Sequence, residues 1–140
     1  MFELFDHSAD IGVRGIGNSW EEAFQETAKG LFAVMVNVRK VRAVKRVKVV
    51  ARAQDLDALL VKFLNALLAV RDKKGLVFGA FRVKLKREKK TWKLECAARG
   101  EKLDVQRHEP GTEVKAASYS ELVLKKTGPK RFLCQCIVDV

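Results

Sequence analysis

An α+β fold, with two helices packed on a mostly antiparallel or mixed multi-stranded sheet, is the architecture that this 140-residue sequence predicts. Two segments repeat apolar residues at helical spacing behind capping residues. Residues 43–53 and 80–99 instead alternate apolar and basic side chains with the two-residue period of half-buried strands. The length suits one core, and no linker or internal repeat divides the chain. Residues 1–140 are therefore predicted to form a single domain.

The two helices are predicted at residues 20–36 and between Asp55 and Gly75. Ser19, followed by Glu22 three residues later, forms a capping box at the start of the first helix. Asp55 is a favourable N-cap for the second helix, and Gly75 follows a basic last turn, which is typical of a helix C-terminus. The apolar stripes of both segments are assigned to the core, because no cofactor-binding pattern interrupts them.

The strands account for most of the remaining chain. Residues 2–16 are predicted to form two strands around a bend at residues 6–10, which have the sequence DHSAD. Gly12, Gly15 and Gly17 allow either unusual backbone angles or a close approach by another element. Further strands are predicted at residues 43–53, at 80–99 as a hairpin, in a short segment after a turn at 100–104, and at 114–124 and 132–140.

Composition excludes several classes of protein. Hydrophobic residues make up 48% of the chain and charged residues 32%, which is typical of a folded domain. No apolar run approaches the roughly 18 residues that a membrane span needs, and no signal peptide opens the chain. Three cysteines, an odd number, favour a reducing compartment, so we expect a cytoplasmic location. Cys134 and Cys136 share one strand face and are expected to pack as core residues rather than bind zinc.

Charge is distributed unevenly along the chain. The net charge is +11, yet residues 1–37 carry six acidic side chains against Arg14 and Lys29, a net of −4. The remainder therefore carries +15. An acidic front and a basic body indicate two kinds of partner, a cation for the first and a polyanion or acidic protein for the second.

The acidic front contains a cluster of ionisable side chains. Asp6, His7 and Asp10 lie within five residues of each other, and the sequence ends with Asp139 and Val140 after an apolar run. One interpretation is a solvated loop in which Asp6 caps a turn. The other is an oxygen-rich site for a hard cation, which requires the two ends of the chain to meet.

Four segments resemble the archease family, in order and at the family's spacing: DHSADIG at 6–12, SWEEAFQETAKGLF at 19–32, HEPGTEVKAASYSEL at 108–122, and the hydrophobic-Asp-hydrophobic ending at 138–140. The resemblance covers nearly the whole chain. It implies an accessory protein, not an enzyme, that serves the GTP-dependent RNA ligase of tRNA splicing. That ligase joins 2′,3′-cyclic-phosphate and 5′-hydroxyl RNA ends, and the accessory protein promotes its guanylylation and repeated turnover.

The resemblance also implies roles for individual residues. Asp10, Asp139 and the Val140 carboxylate match the family's divalent-cation ligands, with calcium the expected ion and magnesium or manganese the alternatives. Asp6 and His7 match the same motif and are expected to support the site, with Asp6 the nearer of the two to the cation. Lys115 matches a required lysine that would contact the partner or a phosphate. Many relatives have a histidine where Ser120 stands, so an imidazole function there is not expected.

Two other functions stay open. A basic sheet face is compatible with weak, non-specific RNA contact, and hence with an RNA chaperone whose metal site is merely structural. A solvated, charged edge that resists aggregation between sheets is a sufficient explanation of the same face and the favoured one. A metal-dependent hydrolase built on Asp6, His7, Asp10 and Asp139 is the less favoured alternative. No phosphate-binding loop, nucleophile elbow or zinc motif is present. The basic face consists of Lys48, Arg52, Arg82, Lys84, Lys86 and Lys93.

Overall fold

Two antiparallel sheets enclose the long helices in the computed structural model, which describes all residues from Met1 to Val140. The first sheet contains β1 (Phe2–His7), β2 (Asp10–Gly17), β6 (Ala116–Gly128) and β7 (Arg131–Asp139), in the order β1-β2-β7-β6. The second contains β3 (Lys45–Ala53), β4 (Leu76–Glu88) and β5 (Thr91–Lys102), in the order β3-β5-β4. The α+β class is confirmed, but the strands divide between two sheets and no pair is parallel.

The long helices begin where their caps predict. Helix α1 (Trp20–Met35) starts after Ser19, whose hydroxyl accepts the Glu22 N–H at 3.1 Å. Helix α2 (Leu56–Lys74) starts after Asp55, whose carboxylate accepts the Ala58 N–H at 2.8 Å, and ends at left-handed Gly75. None of the helices combines the length and apolar content that crossing a membrane requires.

A third, short helix corrects one prediction. Residues Val105–His108 form α3 and not the further short strand that the sequence predicts after residue 104. The physical reason is Asp104, whose carboxylate accepts the N–H groups of Gln106 and Arg107 and so caps a helical turn. The connection after α1 also contains a turn of 3₁₀ helix at Val38–Lys40.

The core is one cluster of 31 buried side chains drawn from both sheets and both long helices. Helix α1 packs against β2 of the first sheet and β4 of the second, while α2 packs against β6 and β3. Phe24 and Phe63 stack between the helices with ring centroids 6.4 Å apart. Because each helix contacts both sheets, its buried surface extends well beyond a single narrow stripe.

The cysteines are all free and lie within this core, as predicted. Burial raises the pKa of the Cys96 thiol to about 12 and that of Cys136 to about 11. Burial also raises the pKa of Cys134 well above its usual range. Thiols with such raised pKa values are protonated at neutral pH, so they pack as small apolar side chains.

Gly15 is the place where β2 and α1 touch through their backbones. A Cβ atom at Gly15 would lie 2.4 Å from the Thr27 nitrogen and 2.5 Å from the Ala23 carbonyl oxygen. Gly15 does not have a positive φ, so its role is the close approach rather than an unusual backbone angle. The helix that supports the first sheet therefore depends on this glycine.

Replacing Gly15 by alanine is expected to lower the free energy of unfolding by about 3 kcal/mol, because backbone atoms cannot move aside for the added methyl group. Urea unfolding followed by circular dichroism measures the change. Gly128→Ala is the matched control, since its new Cβ would meet only the Arg131 Cβ at an ordinary 3.7 Å. Equal destabilisation by the two replacements would contradict a close approach at Gly15.

Candidate cation site at the end of the first sheet

The two acidic segments meet at one end of the first sheet. His7 pairs with Asp10 across the β1–β2 hairpin. The register of β2 with β7, in which Ile11 faces Val138, brings Asp10 opposite Asp139 at the next position. Asp139 in turn faces Ala116 at the start of β6. We call Asp10, Asp139 and the Val140 carboxylate the acidic tip.

Asp10 and Asp139 carry like charges at opposite positions of adjacent strands. Residues directly opposite on antiparallel strands have Cβ atoms about 5 Å apart, and like charges there destabilise the sheet. Asp10 is half-buried and Asp139 is exposed. Neither carboxylate forms an ion pair or a hydrogen bond with another residue of the chain. A bound cation would remove the repulsion between them.

The donor set of the acidic tip consists of oxygens. No group of three or more His, Cys, Asp or Glu side chains in the chain is arranged to hold a metal ion. The register places Asp10 and Asp139 at opposite positions of adjacent strands, and Val140, whose carboxylate the resemblance adds as a third oxygen donor, directly follows Asp139. Oxygen donors of this kind, completed by water, fit a hard cation such as calcium or magnesium rather than zinc.

Asp6 and His7 lie on opposite faces of β1. Asp6 pairs with Ile11, which in turn pairs with the core residue Val138, so Asp6 lies on the core-facing side of the sheet. His7 pairs with Asp10 and lies with it on the outward side. The sequence interpretation gave Asp6 the closer position to the cation. The register favours His7 instead, because side chains alternate between the faces of a strand.

His7 has a partner that the sequence did not indicate. Its Nε2 contacts the carboxylate of Glu121, and its Nδ1 is buried without a hydrogen-bond partner. The register of β6 shifts between Ser118 and Val123, and Glu121 within this bulge has a φ of 49°. Since β1 and β6 are the two edges of the sheet, this pair bridges its whole width.

Lys115 lies beside the acidic tip. Its N–H donates to the Asp139 carbonyl at 2.8 Å, and its side chain is exposed without an ion-pair partner. The segment before it is fixed to the end of α1, because Gly111 N–H donates to the Met35 carbonyl at 2.7 Å and Thr112 N–H to the Val34 carbonyl at 3.1 Å. An irregular segment thus presents a mobile positive charge at a defined place.

A buried network fixes the start of that segment. His108 is fully buried; its Nδ1 accepts the Asp104 N–H and its Nε2 donates to the Glu101 carboxylate, both at 2.9 Å. Glu101 also accepts the Arg42 N–H at 2.8 Å and an Arg107 N–H at 2.6 Å. These donors, the Arg42 N–H first, lower the pKa of Glu101 from 4.5 to about 2. Both ring nitrogens of His108 are occupied, so its role is structural.

The predicted basic face lies on the outer surface of the second sheet, but acidic side chains are interspersed with it. Glu95 lies 3.1 Å from Lys93 and 3.8 Å from Lys48, and Glu88 lies 3.7 Å from Arg52. The hydrogen bond from Lys93 and the charge of Lys48 lower the pKa of Glu95. Part of the positive charge of this face is therefore neutralised within the chain.

Comparison with known proteins gives one consistent result. The model of the Archease protein family (MTH1598/TM1083) matches residues 2–140. Protein archease of Pyrococcus abyssi is 44% identical over 139 residues, covering 99% of this chain and 98% of its own length. Protein archease of Sulfolobus acidocaldarius is 35% identical, with coverage of 99% and 98%.

The fold agrees with an experimental structure. The solution structure of Methanobacterium thermoautotrophicum protein 1598 superposes with a TM-score of 0.87 at 29% identity, over 99% of this chain and 98% of that one. The likeness thus extends through both sheets and both long helices. On the family match and these identities, the chain belongs to the archease family.

Proposed function

We propose that this chain is a protein cofactor in tRNA splicing and RNA repair, which promotes guanylylation and multiple turnover of the GTP-dependent RNA ligase that joins 2′,3′-cyclic-phosphate and 5′-hydroxyl ends. The observation that carries the proposal is the meeting of Asp10 and Asp139 beside Lys115 at one end of the first sheet. Membership of the archease family supports it.

The form of the acidic tip favours an accessory role over catalysis by the chain itself. Asp139 and Lys115 are exposed at the end of a sheet, with Asp10 half-buried beside them. Enzymes usually place their reacting groups in a cleft from which water is excluded. An exposed end of this kind suits insertion into the active site of another protein, where the partner supplies the walls.

Each residue of the acidic tip has a defined task in this proposal. Asp10, Asp139 and the Val140 carboxylate would hold a divalent cation, calcium in the first place and magnesium or manganese as alternatives. When bound, the cation supplies positive charge that can stabilise phosphate oxygens. Lys115 acts as a separate point charge toward a phosphate or an acidic patch of the ligase.

The test is RNA ligation with the ligase limiting, with and without this chain. We expect product to exceed one equivalent per ligase only when the chain is present, and stimulation to fall by about tenfold or more in Asp10→Asn and Asp139→Asn, since each loses a ligand charge. Asp57→Asn, an exposed carboxylate at the start of α2, is the matched control and should stimulate normally. Turnover that is the same without the chain would refute the proposal.

The alternative is an RNA chaperone that acts through the basic face of the second sheet, whose side chains are mostly exposed. Reversing charges on that face would abolish such an activity but leave ligase stimulation largely intact. A metal-dependent hydrolase, the remaining alternative, requires turnover by the isolated chain. The ligation assay and its variants therefore separate all three functions.

A further inference from the structure

Five basic side chains converge on a concavity of about 540 Å³ at one end of the second sheet. We call this concavity the basic groove. It is distinct from the acidic tip, which lies on the first sheet, and from the basic face, with which it shares no residue. The basic groove is lined by Lys45, Arg46, Lys73, Lys74 and Lys102, with Val47 and Leu76 as the only apolar lining residues.

The basic side chains come from three elements that are distant in sequence. Lys45 and Arg46 begin β3, and Lys102 ends β5 and pairs with Leu76. Lys73 and Lys74 form the last turn of α2, where the helix dipole favours positive charge. The dipole explains only the two helical lysines, so the gathering of the others needs a separate reason.

None of the five basic groups forms an ion pair within the chain. The nearby carboxylates are already used, since Asp72 pairs with Arg71 and Glu101 with Arg107 and His108. The basic face of the second sheet differs, because Glu88 and Glu95 lie among its lysines and arginines. Unpaired like charges around one concavity repel each other, and a polyanionic ligand would relieve that repulsion.

We propose that the basic groove binds the phosphate backbone of a nucleic acid strand. Four of the five basic residues are lysines, which meet phosphates as point charges. Protein interfaces are usually anchored by aromatic or other apolar side chains, but the groove has no aromatic lining and Leu76 is only 3% exposed. Without aromatic stacking, binding rests on phosphate contacts and is independent of base sequence.

The test uses the isolated chain and a fluorescent single-stranded RNA of about 15 nucleotides, followed by fluorescence anisotropy. The groove variant is Lys73→Glu with Lys74→Glu and Lys102→Glu. The matched control is Arg82→Glu with Lys84→Glu and Lys86→Glu, which changes the net charge equally on the exposed basic face. We expect the groove variant to raise Kd by about tenfold or more and the control by about threefold at most.

Salt dependence gives a second readout. Each phosphate contact on a single strand contributes about −0.7 to the slope of log K against log salt, so the loss of three contacts should reduce the slope by about 2. A milder triple variant to glutamine, checked by circular dichroism, keeps the test valid if the charge reversals disturb folding. A DNA strand of the same sequence should bind about as tightly, because the phosphates are shared.

Three results would overturn the proposal. One is an equal or larger loss of binding in the control on the basic face. Another is the absence of RNA binding by the wild-type chain at low salt. The third is competition by polyglutamate as effective as that by unlabelled RNA of equal charge, which would identify an acidic protein segment as the ligand. Because no ligase is present in the assay, failure here leaves the proposed function standing, and the reverse also holds.

Discussion

Replacing Asp139 by asparagine is expected to weaken calcium binding by the chain by about tenfold or more, and Asp10→Asn should do the same. Each change keeps a carbonyl oxygen in place but removes one of the charges on which affinity at oxygen sites depends. Isothermal titration calorimetry measures the change in affinity. Adding a short Gly-Ser segment after Val140 should also weaken binding, because it removes the terminal carboxylate from its position.

Stability measurements test the same site independently. At a calcium concentration 100 times Kd, binding should stabilise the wild-type chain by about 2.7 kcal/mol, and a variant that binds tenfold more weakly by only about 1.4 kcal/mol. Without the cation, either replacement should leave stability unchanged or raise it, since it removes one of two opposed carboxylates. Loss of stability in the absence of calcium would contradict repulsion between Asp10 and Asp139.

Asp6→Asn is the control that depends on the register. Asp6 lies on the opposite face of the sheet from Asp10 and Asp139, so its replacement should leave the calcium affinity within about threefold of the wild type. A larger loss in Asp6→Asn than in Asp139→Asn would restore the position that the sequence interpretation gave to Asp6. It would also show that the cation lies on the core-facing side of the strands.

Local signals explain which parts of the fold could be predicted. The starts of α1 and α2 depend on capping bonds within three residues, at Ser19–Glu22 and Asp55–Ala58. The division of the strands into two sheets depends instead on pairings such as Ile11 with Val138, which no local pattern encodes. The strand expected after residue 104 was wrong for a local reason, since the Asp104 carboxylate accepts the N–H groups of Gln106 and Arg107 and caps a helical turn there.

The candidate site divides in the same way. Asp10 and Asp139 could be predicted as site residues because each belongs to a short, recognisable motif. They come together as soon as β2 pairs with β7. The contact of Glu121 with His7 could not be predicted, since it depends on a bulge in β6 and on the positions of the two edge strands. Nor does any local pattern indicate that His108 is fully buried and hydrogen-bonded at both ring nitrogens.

The basic groove could not be predicted from the sequence for a related reason. Its charges come from three sequence regions, 45–46, 73–74 and 102, which read separately as a strand start, a helix end and a strand end. The basic face of the second sheet could be predicted, because basic residues alternate with apolar residues along β3 and again along β4. A pattern within single strands thus predicts the basic face, whose charge is partly neutralised by glutamates. It does not predict the basic groove, whose charges are unpaired.

Replacing Glu101 by glutamine is expected to destabilise the chain at neutral pH and to flatten its response to acid. The glutamine amide keeps one oxygen acceptor but directs an NH₂ group at the donors of Arg42, Arg107 and His108. These donors lower the pKa of Glu101 in the folded chain to about 2, from 4.5. Its stabilising contribution is therefore complete above about pH 4.5 and is lost as the pH falls toward 2.

Urea unfolding of the wild type and of Glu101→Gln across this pH range measures that contribution as the difference between the two curves. The difference should be largest near neutrality and shrink through the acid range, because protonation removes from the wild type the charge that the variant already lacks. Glu95→Gln is the control: the pKa of Glu95 is also lowered, by Lys93, but on an exposed sheet face where such pairs contribute little. Its curve should stay close to that of the wild type throughout.

If the curves of Glu101→Gln and the wild type run parallel down to the lowest pH, the ionised Glu101 does not stabilise the base of the segment that carries Lys115. That segment would then be held by its bonds to the end of α1 alone.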